Sequence, residues 1–308
     1  MKMTGSQIWK RKYTEPEWLV PPFLLKRGVT MLAAAPGAGK SYFALGAAKS
    51  VAGGQPFLGS VPHKLGKVYY LAGEDDDVRM QLRMRQQGWT AAERENFVAE
   101  FDPPPATGSG LQKIAEDVAD VQAEFLIVDP LISLSTGKTD FNKAGEMGAL
   151  MKAFKTIARD EPQVSILICH HTRKTTRFSP GGNLDEDALG SRALGALVDI
   201  RMMIDHPRTA LNGRIHLGGK DLQRQVIDAR LDIATGTWRK ADEMADESSL
   251  RARIVADLTK SGCGSATEVA DRLDEDRGNV SKLLYQLFNE GKATRSEKGR
   301  AVIYCLAT

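Results

Sequence analysis

Cysteine is scarce in this 308-residue chain: Cys169, Cys263 and Cys305 are the only three. So small, odd and widely spaced a set argues against both a disulfide framework and a cysteine zinc site, and fits a reducing compartment. No run of about 18 apolar residues occurs, which excludes a membrane-spanning helix. The opening segment MKMTGSQIWKRKYTEPEW lacks an apolar core, so no secretory signal is expected. These absences together predict a cytoplasmic protein. Neither sign of charge dominates, since 42 Lys+Arg against 39 Asp+Glu leave a net +3. That excess is too small to argue for a nucleic-acid partner, so any such partner has to be argued from where the cations fall. Internal repeats and low-complexity tracts are also missing.

What is present is ordinary globular composition, 42% hydrophobic and 26% charged, in a length that suits about two domains. Residues 1–27 are polar and aromatic and read as an extended lead-in that packs Trp9 and Trp18 on the domain behind it. From residue 28 to 240, short apolar runs alternate with helix-length amphipathic stretches. The runs cover 29–33, 67–71, 124–129, 164–169, 199–204 and 214–217, and helical stretches at 40–52, 76–87, 111–121 and 141–158 separate the first four. This alternation predicts an α/β domain with a mostly parallel sheet covered on both faces. The later runs, including 225–233, are joined by glycine-containing turns and read as antiparallel additions at one sheet edge. The acidic stretch 240–249 reads as a linker. Residues 248–308 then offer helices at 250–258, 266–273 and 277–290 and two short strands around a basic turn, the arrangement of a winged helix-turn-helix.

Four motifs carry chemistry. In the first, Ala34-Ala35-Pro36-Gly37-Ala38-Gly39-Lys40-Ser41 matches a P-loop except that Ala34 stands where the first glycine belongs. Gly37 and Gly39 let successive backbone N–H groups curl toward phosphate oxygens, and the helix opening at Lys40 aims its positive end at them. Lys40 reaches the β- and γ-phosphates, Ser41 joins a Mg²⁺ shell, and Tyr42 completes the nucleotide contacts, so ATP with Mg²⁺ is the expected ligand. In the second, Phe125-Leu126-Ile127-Val128-Asp129 is a buried strand ending in a carboxylate suited to Mg²⁺, or to capping. In the third, the strand 68–72 runs into Gly73-Glu74-Asp75. If it lies beside the P-loop strand, Glu74 is placed to activate water, whereas Asp76 and Asp77 read as a helix N-terminus made acidic for its dipole. In the fourth, the strand 166–169 ends in His170-His171; one of the two, His170 ahead of His171, suits sensing of the γ-phosphate, against a purely structural role.

Together these motifs resemble the RecA/KaiC-like branch of P-loop ATPases and, more narrowly, the RepA-type hexameric replicative helicases. The resemblance covers about residues 16–238 and rests on APGAGKS, YLAGED, FLIVDP, ICHHTRK and the stretch 188–201. It implies that Glu74 is the catalytic acid, that Asp129 holds magnesium, and that Arg201 is an arginine finger, with Arg192 as its rival. Related helicases carry a Lys-x-Arg pair where this chain reads Lys220-Asp221-Leu222, which leaves Lys220 as an accessory cation. It also implies a homo-oligomeric, hexameric ring around single-stranded DNA and a role in DNA replication. The runner-up is a DNA-binding regulatory ATPase or recombination mediator that does not unwind DNA.

Two long loops leave strand ends beside the nucleotide, 133–145 with Lys138 and 172–190 with Arg173 and Lys174. In RecA-like rings such loops line the channel and track a phosphate backbone. The small C-terminal unit offers a second handle, with Arg277, Asn279 and Lys282 on its third helix and Lys298 at its hairpin tip. Helix-in-groove docking on duplex DNA suits it, and so does a protein partner.

Overall fold

Near-continuous apolar runs such as Met31-Leu32-Ala33-Ala34 bury side chains on both faces, which is what a strand in the middle of a covered sheet requires. A computed structural model describes residues 2–11, 16–135, 144–160, 162–171, 197–206, 212–241, 250–298 and 301–307. The chain divides into two units, Met1–Lys240 and Ala241–Thr308.

In the first unit, strands β3 (Val29–Ala34), β4 (Lys67–Ala72), β5 (Phe97–Glu100), β6 (Ala123–Asp129), β7 (Ser165–His171) and β8 (Ile200–Asp205) run parallel. Strands β9 (Asn212–Gly219), β10 (Gln225–Asp232) and β11 (Thr237–Lys240) continue the sheet antiparallel beyond β8. The resulting nine-stranded order is β11-β10-β9-β8-β3-β7-β6-β4-β5. One expectation needs correction, and one condition set above is not met. The run at 199–204 is not an antiparallel addition, because β8 joins β3 in parallel with Thr30 beside Ile200. The strand β4 does not neighbour the P-loop strand, because β7 and β6 lie between them.

Helices cover both faces of the sheet. One core packs α2 (Lys40–Gly53) and α3 (Asp77–Gln86) on Leu32, Val68, Tyr70, Phe125 and Leu167, with the short α4 (Ala91–Glu95) alongside. The other packs α5 (Gly108–Val121) and α6 (Ala144–Arg159) on Met31, Leu71, Leu126 and Ile166. The lead-in is built into the first core and is not merely extended. It holds α1 (Gly5–Trp9) and an antiparallel pair, β1 (Trp18–Val20) with β2 (Leu24–Leu25). Phe23 meets Phe43 and Phe57 edge to face, with ring centroids 6.1 and 5.5 Å away. Each such pair adds about 0.5–1.5 kcal/mol beyond area burial. Trp18 packs against this core, but Trp9 is 90% exposed, contrary to the expectation that both tryptophans would be covered.

The second unit has its own core, in which Ile254, Leu258, Val269, Val280, Leu284 and Leu287 meet Tyr304. Its elements are α7 (Leu250–Ser261), β12 (Cys263–Ser265), α8 (Ala266–Leu273), α9 (Arg277–Asn289), β13 (Ala293–Lys298) and β14 (Ala301–Leu306). Ser265 caps α8 through a reciprocal pair with Glu268. Cys263 and Cys305 are Cα partners across β12 and β14, 4.3 Å apart, and form a disulfide. This corrects the reading that the scarce cysteines stay unpaired: the third strand, β12, carries one cysteine onto the other. Cys169 remains a free, buried thiol. Among the described residues no helix is long and apolar enough to cross a membrane.

Candidate functional site

The parallel strands end together. Ala34 pairs with His171, and Ala72 with Asp129, so the P-loop, the second acid strand and the histidine strand all open on one edge. That C-terminal edge is where parallel α/β sheets hold ligands. A cavity of about 290 Å³ lies there, lined by Gly37, Gly39, Lys40, Ser41, Glu74 and Asp129 among others.

The P-loop takes the geometry its sequence predicts. Gly37 and Gly39 adopt φ of 78° and 89°, and Gly39 is the N-cap of α2. A Cβ on Gly39 would also lie 2.9 Å from Leu231 Cδ2, so close packing adds to the conformational reason for glycine. Ala34 closes strand β3, a position that needs no glycine, so its departure from the P-loop pattern leaves the turn intact. Pro36 and Ala38 lie in the same turn, where Ala38 N–H donates to Ala35 O at 3.1 Å. Tyr42 stands in the first turn of α2, and its hydroxyl donates to Gln86 at 2.8 Å.

Lys40 is 6% exposed. Its ammonium donates to Ala34 O at 3.3 Å and to His171 Nδ1 at 3.0 Å. The other ring nitrogen of His171 stands 3.5 Å from Glu74 Oε1. Lysine, histidine and the exposed glutamate therefore form a line across the cavity. Burial pushes the Lys40 ammonium below its usual range, opposed by nearby acidic groups that include Asp129 and Glu74.

Glu74 reaches this line although its strand is three places from β3. The loop after β4 folds over the end of β6, where Gly73 N–H donates to Asp129 O at 3.0 Å. A Cβ on Gly73 would lie 1.7 Å from Ser133 Oγ, so only glycine can pass beneath that side chain. Asp129 is 6% exposed, and its Oδ2 accepts a 2.5 Å hydrogen bond from Tyr70. Burial and that carboxylate raise the Tyr70 phenol far above its usual range. The neighbouring Cys169 thiol is raised by burial and by the same carboxylate. Asp76 accepts from Arg79 N–H at 2.8 Å and caps α3, with Asp77 in its first turn.

Of the two histidines, the structure brings His171 to the cavity and not His170. Alternation along β7 places His171 on the face of Cys169, toward α2, and His170 on the face of Ile166 and Ile168. Burial, with help from His171 and Lys40, depresses the His170 imidazole to about 4. Arg201 stands near the start of β8 with Met31 and Gly218 as its Cα partners. It is three residues, roughly 10 Å of strand, short of the level of Ala34. Lys220 lies at the same end, 3.3 Å from Asp199, and Asp199 also holds Lys155 at 3.1 Å. Neither cation belongs to its own chain's cavity. Lys138, Arg173, Lys174 and Arg192 lie outside the described residues, as does the side chain of Lys298. Lys282 is exposed on α9.

Two lining residues, and two that brace the P-loop from behind, escaped the sequence reading. Arg79 and Arg83 project from α3, and their spacing of four and eight residues from Asp75 is the signal that places them on one helix face with it. Trp238 packs from β11, its indole N–H donating to Gly39 O at 3.0 Å. Gln87 donates to Gly236 O at 2.8 Å and to Tyr42 O at 3.1 Å, and so fastens the β10–β11 turn to α2.

The cavity supplies oxygen donors, Ser41 and Asp129, with Glu74 near them. That is a hard donor set suited to Mg²⁺, which keeps several waters and takes phosphate oxygens from its substrate. Among the described residues no cluster of three His, Cys, Asp or Glu side chains forms a metal site by itself.

The sequence pattern of a family described as AAA domain matches residues 8–177, more than half of the chain. Comparison with curated proteins finds no significant sequence match. Among solved structures, an isolated ATPase domain superposes with a TM-score of 0.55 at 13% identity, over 70% of this chain and 85% of that one. A DnaB-like replicative helicase, described with its interactions with primase, gives 0.55 at 12%, over 70% of this chain and 57% of that one. A KaiC-like protein from Pyrococcus horikoshii OT3 gives 0.51 at 13%, over 72% and 93%. At such identities the likeness is one of fold, the RecA-like α/β fold.

Proposed function

The chain belongs to the AAA-domain family, and from that premise we propose that it is an ATP-hydrolysing, ring-forming DNA motor, a replicative helicase of a plasmid, phage or integrated element. The observation that carries the ATPase reading is the meeting of Lys40, Ser41, Glu74, Asp129 and His171 in one cavity at the ends of four parallel strands. The P-loop N–H groups, the start of α2 and Lys40 bind the β- and γ-phosphates. Glu74 takes the proton of the attacking water. Ser41 and Asp129 hold Mg²⁺, which when bound neutralises charge developing on the phosphates. His171 lies between Lys40 and Glu74 and relates the state of the phosphate end to the acid. Arg201 serves a neighbouring subunit, which fits its distance from its own cavity.

The likeness of fold to a replicative helicase supports the motor reading. Lys138, Arg173 and Lys174 track single-stranded DNA in the channel. In the second unit, three helices followed by a hairpin support a winged helix, whose α9 exposes Arg277, Asn279 and Lys282 toward duplex DNA. In a second reading, a DNA-binding regulatory ATPase or recombination mediator that does not unwind DNA, the exposed Tyr285 and Phe288 on the same helix serve a protein partner. Strand displacement on a forked duplex decides between them. ATP-dependent displacement is expected of the motor, and DNA-stimulated hydrolysis without displacement would establish the regulator. Sizing with and without ATP and single-stranded DNA tests the ring.

A further inference from the structure

The cavity wall formed by α3 carries two cations to which P-loop chemistry assigns no task. Asp76 caps this helix, so its first turns follow directly on Glu74 and Asp75. Arg79 and Arg83 stand one turn apart, and both line the cavity with Lys40, Ser41, Glu74 and Asp129.

Their surroundings differ. Arg83 is fixed: it pairs with Asp75, the two side chains being 23% and 11% exposed, and its guanidinium lies 5.5 Å from the centre of the Tyr42 ring. Arg79 stands 4.0 Å from the same carboxylate, at the limit of contact, and its side chain is 66% exposed. Exposed pairs of this kind contribute little, so Arg79 can leave Asp75 at small cost.

The balance of charge gives Arg79 a purpose. Glu74, Asp75 and Asp129 face Lys40, Arg79 and Arg83 across the cavity. Asp75 and Arg83 cancel each other, which leaves Lys40, assigned above to the β- and γ-phosphates, facing Glu74 and Asp129. A polyphosphate brings several more negative charges into a volume that already holds two further acids. The exposed cation nearest to hand is Arg79, whose planar fork can donate two parallel N–H groups to one phosphate.

We propose that Arg79 binds the terminal phosphate of a nucleoside triphosphate within the same chain, making the site prefer a triphosphate to a diphosphate. Arg83, held by Asp75 and Tyr42, fixes the helix face from which Arg79 reaches. The inference rests on the P-loop reading above and names a specificity residue for it.

The test is titration of the full chain with Mg²⁺ and either a non-hydrolysable ATP analogue or ADP. Arg79→Ala is expected to weaken the analogue about tenfold or more and ADP less than about twofold, the scale of one charge-assisted hydrogen bond. Arg79→Lys restores part of the difference. Arg79→Gln, a neutral side chain of similar reach, gives a second reading should the alanine variant melt early. Equal losses for both nucleotides, or none for either, would overturn the proposal. Lys40→Ala separates the two levels of the argument. If it loses both nucleotides while the Arg79 variants behave as wild type, only the role of Arg79 fails; if it binds both normally, the P-loop reading fails.

Discussion

Lys40 directs its hydrogen bonds to a carbonyl and an imidazole, so its contribution is to the ligand and not to a buried ion pair. Lys40→Ala is therefore expected to abolish ATP binding or hydrolysis while circular dichroism stays that of the wild type. Glu74→Gln should still bind Mg·ATP but turn over at least about a hundredfold more slowly, the lower range for loss of a general base. A cost in melting temperature with no change in rate would instead assign Glu74 to the dipole of α3, which Asp76 caps. His170 makes a pH prediction. Its folded-state value of about 4 lies below the ordinary histidine value of 6.5, so between those limits the unfolded chain binds more protons. Stability is then fully present above about pH 6.5 and falls as the pH drops toward 4, by at most about 3 kcal/mol. His170→Asn should flatten that acid limb in melts recorded across the window. A slope unchanged in the variant would place the titration elsewhere.

At the scale of elements, the P-loop turn is held from outside as well as by its own glycines. The β10–β11 hairpin leans on it through Trp238 and Leu231, and Gln87 ties down the turn at Gly236. Gly39→Ala meets both a left-handed backbone and Leu231. It is expected to lower stability by roughly 1–3 kcal/mol and to weaken nucleotide binding, measured by denaturant titration alongside ATP affinity. In the second unit, Ser265→Ala removes the cap of α8 and should cost about 1 kcal/mol without touching nucleotide affinity. Much of this organisation is legible in the sequence, because apolar runs and amphipathic stretches report burial locally. The P-loop, the FLIVD strand and the acid after YYLAG are legible for the same reason. What escapes is set by distant partners. The phase of His170 and His171 depends on which face of β7 meets α2. The places of β4 and β8 depend on the order in which crossovers insert strands. The Cys263–Cys305 bridge depends on a three-residue strand, β12, too short to announce itself.

For the molecule as a whole, the proposed ring predicts complementation between defective subunits. Arg201→Ala subunits mixed with Lys40→Ala subunits should recover part of the ATPase rate, because some interfaces then pair an intact P-loop with an intact finger. No recovery at any ratio, in assemblies shown to exchange subunits, would count against a finger acting in trans. The division at residue 240 has a spectroscopic consequence. All four tryptophans, at positions 9, 18, 89 and 238, belong to the first unit, whereas residues 241–308 hold Tyr285 and Tyr304 and no tryptophan. Selective excitation of indole therefore watches the first unit and is blind to the second. A ligand that binds only the native P-loop raises the indole-reported melting transition by mass action. The far-ultraviolet signal, which sees every helix, should then resolve into a transition that moves with nucleotide and one that stays, the latter with no counterpart in fluorescence.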